Sequence, residues 1–145
     1  RIFVATASER DPIEHALARV GMWPMVEQLF TSSELGCGKS QDGYWALVAS
    51  KIGVPVEDLT IFEDSLHAVE TAVQAGCTVV AISDRYTVED EPALRKLADR
   101  YIYNSRNFYD LQSSGEHENT IFRMICVNGN LSVLIKISLA GNGEI

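Results

Sequence analysis

The chain has 145 residues, which is enough to bury the hydrophobic core of one small domain. Its 46% hydrophobic and 22% charged residues exclude a chain that is disordered throughout, and no apolar run reaches the roughly 18 residues of a membrane-spanning helix. Twenty acidic residues against 12 basic ones give a net charge of −8, which repels phosphate backbones and argues against nucleic acid as a partner.

The first 112 residues alternate strand-like and helix-like segments. The predicted strands are short and apolar, and they cover residues 2–5, 30–33, 59–62, 77–82 and 101–103. The predicted helices begin near Asp or Ser and often end at glycine, and they cover residues 11–20, 25–29, 44–52, 66–75 and 92–100. This order predicts an α/β fold, a Rossmann-like three-layer α/β/α arrangement around a mainly parallel sheet.

Residues 113–145 have a different pattern. Residues 113–119 are polar and typical of a linker. Two β-rich runs, residues 121–127 and 131–139, then flank Asn128-Gly129-Asn130, a strong hairpin signal. The chain is therefore predicted to divide into an α/β core at 1–112 and a linker with a β-hairpin-like tail at 113–145.

Polar groups follow three of the apolar or glycine-rich segments. They are Thr6-Ala7-Ser8, the loop Gly36-Cys37-Gly38-Lys39-Ser40, and Glu63-Asp64-Ser65. Ligands bind beyond the carboxyl ends of strands in open α/β sheets, where a hydroxyl and a lysine suit a phosphoryl group and adjacent carboxylates suit Mg²⁺. The sequence thus predicts a site for phosphate and magnesium.

Each of these segments also has a purely structural interpretation. Thr6 could complete a turn, Lys39 could be a solvated surface residue, and Glu63-Asp64 could be an acidic helix start. It is the occurrence of all three at strand ends that favours a functional site.

A P-loop is an alternative interpretation of the lysine segment. Gly38-Lys39-Ser40 matches the end of the pattern GxxxxGK[ST], but Ser33 stands where that pattern requires glycine. A nucleotide-binding protein therefore remains a lesser alternative.

The order of the three segments resembles the haloacid dehalogenase-like (HAD) hydrolases, in particular their β-phosphoglucomutase-like and phosphatase-like branch. Residues 4–10 are similar to the threonine motif of that family, residues 36–44 to its lysine motif, and residues 59–66 with the following Ala75-Gly76 to its acidic metal motif. The resemblance covers roughly residues 1–112, and the acidic motif is its most specific part.

The resemblance implies a role for each candidate residue. Thr6, helped by the Ala7 N–H, would bind the transferring phosphoryl group, and Lys39 would neutralise its charge. Asp64 would bind Mg²⁺ directly, and Glu63 would do so directly or through water. The implied reaction is phosphoryl transfer from a small phosphorylated metabolite through an aspartyl-phosphate.

The chain departs from the family in its catalytic motif. No Asp-x-Asp occurs anywhere in the sequence, and this motif carries the family's nucleophile on the first strand. The cap segment that follows it is also missing, Ser40 replaces the proline after the lysine, and Ala68 stands in place of a usual glycine. We therefore expect little turnover by this polypeptide alone, and a non-catalytic remnant that binds phosphate, metal or a partner chain is the alternative.

The missing first strand would lie at the centre of the family's sheet, between the strands that end at Thr6 and Glu63. Leaving that position open would expose two rows of unpaired backbone groups. Either a strand from within residues 131–139 fills the gap, or the chain is part of a longer, split or dimeric protein whose other part supplies the strand.

The cysteines and the N-terminus bear on the setting of the protein. Cys37, Cys77 and Cys126 are far apart and form no zinc-binding spacing, which predicts free thiols and a cytoplasmic location. The N-terminus has no signal-peptide pattern and no initiator Met, so the chain is interpreted as a fragment or a processed product.

Overall fold

The computed structural model of the protein describes residues 1–19, 21–84, 87–102, 126–127, 130–131 and 133–137. Its main sheet has six strands in the order β2-β1-β8-β3-β4-β5. These strands are β1 (Ile2–Thr6), β2 (Gln28–Thr31), β3 (Leu59–Glu63), β4 (Thr78–Ile82), β5 (Arg100–Ile102) and β8 (Val133–Ile137). The pairs β1–β2, β3–β4 and β4–β5 are parallel, so the predicted mainly parallel sheet is confirmed.

Helices cover both faces of this sheet. They are α1 (Arg10–Arg19), α2 (Ser32–Leu35), α3 (Tyr44–Ile52), α4 (Leu66–Gln74) and α5 (Glu91–Leu97). Phe3, Ala5 and Ile61 belong to a core cluster with residues of α3, α4 and α5, whereas Val4 belongs to a second cluster with residues of α1. Alternate residues of β1 therefore face opposite helical layers, as a three-layer α/β/α fold requires.

Strand β8 occupies the centre of the sheet and is antiparallel to both of its neighbours. Its residue Leu134 lies opposite Val4 of β1 and also opposite Phe62 of β3. The prediction that a tail strand fills the gap between β1 and β3 is confirmed. The described strand covers residues 133–137 of the predicted run of 131–139, and its orientation is opposite to that of the flanking strands.

The rest of the described tail forms a separate two-stranded ladder. In it β6 (Cys126–Val127) pairs antiparallel with β7 (Asn130–Leu131), and β6 lies against α1. This antiparallel pair agrees with the hairpin predicted around residues 128–130, although Asn130 already belongs to the second arm and residues 133–137 join the main sheet. Residues 121–125 and 128–129 of the predicted hairpin lie outside the described residues. The predicted linker at 113–119 and the boundary between 112 and 113 lie outside the described residues.

The segment before the lysine loop differs from its prediction. The helix predicted at 25–29 is wrong: Trp23–Met25 form one 3₁₀ turn, and β2 begins at Gln28. The strand predicted at 30–33 ends at Thr31, whose hydroxyl accepts a hydrogen bond from the Glu34 N–H at 3.2 Å. This side-chain cap starts α2, and Gly36 ends it in the left-handed conformation with φ of 64°.

Other described boundaries shift by only a few residues from the sequence prediction. Helix α3 occupies the predicted range, and Gly53 closes it with a φ of 79°. Strand β5 begins one residue early, and residue 103 lies outside the described residues. Among the residues that the structure describes, no helix is long and apolar enough to cross a bilayer.

Cys37 and Cys77 are free thiols in different environments. Cys77 is buried in the core, and this burial raises the pKa of its thiol to about 12, whereas Cys37 is half-buried in the lysine loop. Because the thiolate is the reactive form, we expect iodoacetamide at pH 8 to alkylate native Cys77 more than about tenfold more slowly than Cys37. Peptide mass mapping of timed samples measures both rates, and the protein unfolded in guanidinium is the control. Equal rates in the native protein would contradict the described burial.

Candidate functional site

A buried ion pair joins the lysine loop to the end of β3. The Lys39 Nζ lies 2.8 Å from Oε2 of Glu63, and the Lys39 and Glu63 side chains are 11% and 0% exposed. The two residues are 24 positions apart in sequence. The fold therefore brings together two of the predicted site segments, and the surface interpretation of Lys39 is wrong.

The second oxygen of Glu63 binds the backbone at the start of α4. Its Oε1 accepts hydrogen bonds from the N–H groups of Asp64 and Ser65, each at 3.1 Å. The structural interpretation of Glu63 as an acidic helix start is therefore correct in part, since the carboxylate accepts donors at the beginning of that helix. The same carboxylate thus fixes the turn after β3 and holds the Lys39 ammonium.

Asp64 is a second carboxylate at the same turn. It is 8% exposed. Burial raises the pKa of its carboxyl to about 7, hydrogen bonding and repulsion with Glu63 contribute to this rise, and the Lys39 charge opposes these effects. The Lys39 ammonium forms its ion pair with Glu63, and an additional cation would stabilise the ionised form of Asp64.

Thr6 lies at the corresponding level of the sheet on the other side of β8. Val4 of β1 and Phe62 of β3 both lie opposite Leu134 of β8. Thr6 and Asp64 each follow one of these residues by two positions, so they lie at the same height along the two strands. Two strand spacings separate them, which corresponds to about 10 Å between backbones. Thr6 and the acidic pair therefore lie along one edge of the sheet.

The Thr6 hydroxyl has a structural role in the turn after β1. Its Oγ1 accepts the Ser8 N–H at 3.0 Å, and Thr6 is 2% exposed, whereas Ala7 is exposed. The turn interpretation of Thr6 is thus correct. It does not exclude phosphate binding, because a hydroxyl that accepts one hydrogen bond retains a proton to donate.

Thr71 and Trp45, which are not among the predicted site residues, hold the backbone of the lysine loop. The Thr71 Oγ1 on α4 lies 2.6 Å from the Lys39 carbonyl oxygen, and it accepts the Trp45 indole N–H at 3.1 Å. Within the loop, the Gln41 Oε1 accepts the Gly38 N–H at 2.6 Å. The sequence identifies Trp45 only as an apolar helix residue, and no local pattern connects Thr71 with the lysine loop.

Tyr44 adds a buried polar group at the start of α3. Its side chain is fully buried, and among the described residues no hydrogen bond of ordinary geometry reaches its hydroxyl. Burial raises the pKa of the phenol, the Glu63 charge raises it further, and the Ser32 hydroxyl opposes these effects. Tyr44 is therefore neutral, and the sequence does not identify it as a residue that responds to the charge of Glu63.

The acidic pair matches the ligand set for Mg²⁺ in phosphate sites. There the ion takes one or two carboxylates and completes its octahedron with phosphate oxygens and water. Within the described ranges, no third His, Cys, Asp or Glu joins Glu63 and Asp64 into a larger metal cluster. The residues therefore fit magnesium as a two-carboxylate pair that depends on phosphate and water for its remaining ligands.

The lysine loop does not have P-loop geometry. A P-loop leads directly into a helix at its Lys-Ser or Lys-Thr step. Here Lys39 and Ser40 lie in turns and α3 begins only at Tyr44, after Gly43 with a φ of 83°. The Lys39 ammonium is held by Glu63 instead, so the alternative of a P-loop loses its structural basis.

Comparisons with solved structures identify the fold. A HAD family hydrolase from Deinococcus radiodurans R1, with bound phosphate and sodium, matches 77% of this chain with a TM-score of 0.61 at 22% sequence identity. A protein from Thermotoga maritima assigned as a beta-phosphoglucomutase matches 76% of this chain with a TM-score of 0.62 at 20% identity. The chain thus has the HAD-like fold, as the sequence resemblance implied.

Each match covers only part of the neighbouring structure. The chain spans 51% and 50% of the two solved structures, about half of each. No protein-family model matches the sequence, and neither does any curated protein.

Proposed function

We propose that this chain is the core portion of a phosphatase or phosphomutase that binds a small phosphorylated metabolite with Mg²⁺ at the edge formed by Thr6, Lys39, Glu63 and Asp64. The observation that carries the proposal is the buried Lys39–Glu63 pair at 2.8 Å, set along the same sheet edge as Thr6. A structural role alone does not require a nearly buried ammonium group at the turn that carries a second buried carboxylate, Asp64. The phosphate bound to the Deinococcus neighbour supports the same ligand class.

Each residue would act on the phosphoryl group through its own charge or proton. The Thr6 hydroxyl donates its free proton to a phosphoryl oxygen, with the Ala7 N–H beside it. The Lys39 ammonium offsets the phosphoryl charge, while Glu63 keeps it in place. Asp64 and Glu63 would hold Mg²⁺, which when bound supplies positive charge to the phosphoryl oxygens.

The proposed activity of this chain alone is binding without turnover. The sequence has no Asp-x-Asp motif, and β8 occupies the centre of the sheet, where the family's nucleophile strand would lie. This observation favours the second candidate function, a non-catalytic domain that binds phosphate or metal. The free thiols of Cys37 and Cys77 support the proposed cytoplasmic setting of either function.

Calorimetry with inorganic phosphate in the presence of Mg²⁺ tests the proposed site. We expect saturable binding that Lys39→Ala and Asp64→Asn each weaken at least about tenfold, because the first removes the ammonium that offsets the phosphate charge and the second removes a carboxylate that would hold Mg²⁺. The matched controls are Lys51→Ala and Asp42→Asn, which change exposed residues and should bind like the wild type. Absence of phosphate binding by the folded wild type would overturn the proposal.

Turnover is measured separately with p-nitrophenyl phosphate and Mg²⁺. We expect no hydrolysis above the rate of the Asp64→Asn variant, because the nucleophile is missing from the sequence. Robust hydrolysis that depends on Lys39 and Asp64 would contradict the expected inactivity. Binding of ATP in place of phosphate would favour the nucleotide alternative.

A further inference from the structure

Lys39 is fixed at both of its ends to one continuous segment of the chain. Its ammonium is held by Glu63 at the end of β3 at 2.8 Å, and its carbonyl oxygen lies 2.6 Å from the Thr71 hydroxyl on α4. Only a short turn separates β3 from α4, so both anchors move with the same strand–helix unit. Holding the carbonyl and the ammonium together limits where the lysine side chain can place its charge.

The hydrogen-bonding arrangement directs the Thr71 proton towards Lys39. The Trp45 indole N–H donates to Thr71 Oγ1 at 3.1 Å, and this uses one acceptor position of the hydroxyl. The hydroxyl has one proton and two carbonyl oxygens in reach, that of Lys39 at 2.6 Å and that of Ala68 at 3.0 Å. The shorter contact is to Lys39, so the loop rather than the helix's own backbone receives the stronger bond.

The loop itself needs such an anchor. Gly36, Gly38 and Gly43 surround Lys39, and glycine-rich backbone is conformationally permissive. The Gln41 side chain and the backbone hydrogen bonds of this loop connect it to itself, to α2 and to the start of α3. The Thr71 bond instead connects the Lys39 backbone to the helix that follows the acidic pair.

We propose that Thr71, oriented by Trp45, is a positioning residue that sets the location of the Lys39 ammonium for phosphoryl binding. The proposal rests on the proposed function for its purpose, but the placement of Lys39 can be measured without any ligand. Thr71 would act through the Lys39 backbone and does not touch the phosphoryl group.

Amine labelling measures the placement directly. Brief treatment with acetic anhydride, followed by peptide mass spectrometry, gives the acetylation rate of Lys39 relative to the exposed Lys51. We expect Thr71→Val, which keeps the side-chain shape but lacks the hydroxyl, to raise this ratio about threefold or more, and Thr71→Ser to restore it. Thr78→Val is the matched control, because Thr78 is exposed and lies at the opposite end of the sheet.

The outcomes of the labelling experiment are distinct. A ratio that is unchanged in a folded Thr71→Val variant overturns the proposal, and so does a rise that Thr71→Ser fails to reverse. If Thr71→Val does not fold, Thr71→Ala removes the same hydroxyl from a helical position and carries the test.

Calorimetry then connects the placement to binding. We expect Thr71→Val to weaken phosphate binding about fivefold, while the affinity for Mg²⁺ alone stays unchanged because Asp64 and Glu63 remain. A phosphate affinity unchanged in a variant with loosened Lys39 would overturn the role in phosphoryl binding. Failure of the wild type to bind phosphate would defeat the proposed function, and the labelling result would then decide the positioning role by itself.

Discussion

A chain that ends at residue 112 will not fold, because it lacks the strand at the centre of its own sheet. Strand β8 pairs on one side with residues 2–5 of β1 and on the other with residues 59–62 of β3. The residues on both flanking strands are largely buried, so water cannot replace the lost partners.

The size of the effect follows from the number of backbone groups involved. Each buried donor or acceptor without a partner costs about 1–3 kcal/mol, and β8 satisfies such groups along two edges. Their combined loss exceeds the roughly 5–15 kcal/mol that separates a native domain from its unfolded state. Removal of the strand should therefore abolish cooperative folding and not merely lower the melting temperature.

Urea unfolding followed by far-UV circular dichroism measures the effect. The matched control ends at residue 137 and retains β8, so we expect it to unfold cooperatively. Ile135→Pro in the full chain provides a second test, because proline removes a backbone donor from a central strand whose residue 135 lies opposite both Phe3 and Ile61. A cooperative transition of the chain that ends at 112 would show that β8 is dispensable.

The sequence predicts those elements whose signals are local. Helix α3 follows from apolar periodicity between Gly43 and Gly53, and both glycines have positive φ at its ends. The range of β2 does not follow in this way, because it depends on the parallel register that pairs Thr6 with Thr31. The start of α2 depends on a side-chain cap from Thr31. The sequence of residues 30–33 is typical of a strand and does not indicate this cap.

In the candidate site, too, local sequence patterns identify some residues but not the contacts between distant ones. Glu63 and Asp64 could be predicted because polar residues at the carboxyl ends of parallel strands lie along one edge of the sheet. Lys39 lies in the loop after α2 and could be predicted from its glycine-rich segment. The contacts of Thr71 with Lys39 and Trp45 could not, since the residues of each pair are 32 and 26 positions apart and have no shared motif. The antiparallel direction of β8 was equally inaccessible, because an apolar run of that length fits the gap in either direction.

Lys39→Met should destabilise the fold as well as the site. It leaves the Glu63 carboxylate, which is 0% exposed, without its cation. Breaking a buried ion pair from one side typically costs about 3–5 kcal/mol, because the remaining charge is neither paired nor solvated. We expect a decrease of that size in the free energy of unfolding, measured in urea, and Lys51→Met at an exposed position of α3 should change it little.

The double variant Lys39→Met, Glu63→Gln separates the two roles of the pair. The amide oxygen of the substituted side chain can still accept the N–H groups of Asp64 and Ser65, and the charge of the ion pair is removed from both sides. We therefore expect the double variant to regain most of the lost stability, whereas phosphate binding in calorimetry stays at least about tenfold weaker than in the wild type. Recovery of both stability and binding would show that Lys39 serves only as a partner for Glu63. Recovery of stability alone would show that phosphate binding needs the charges of this pair themselves, because the fold would then be intact without them.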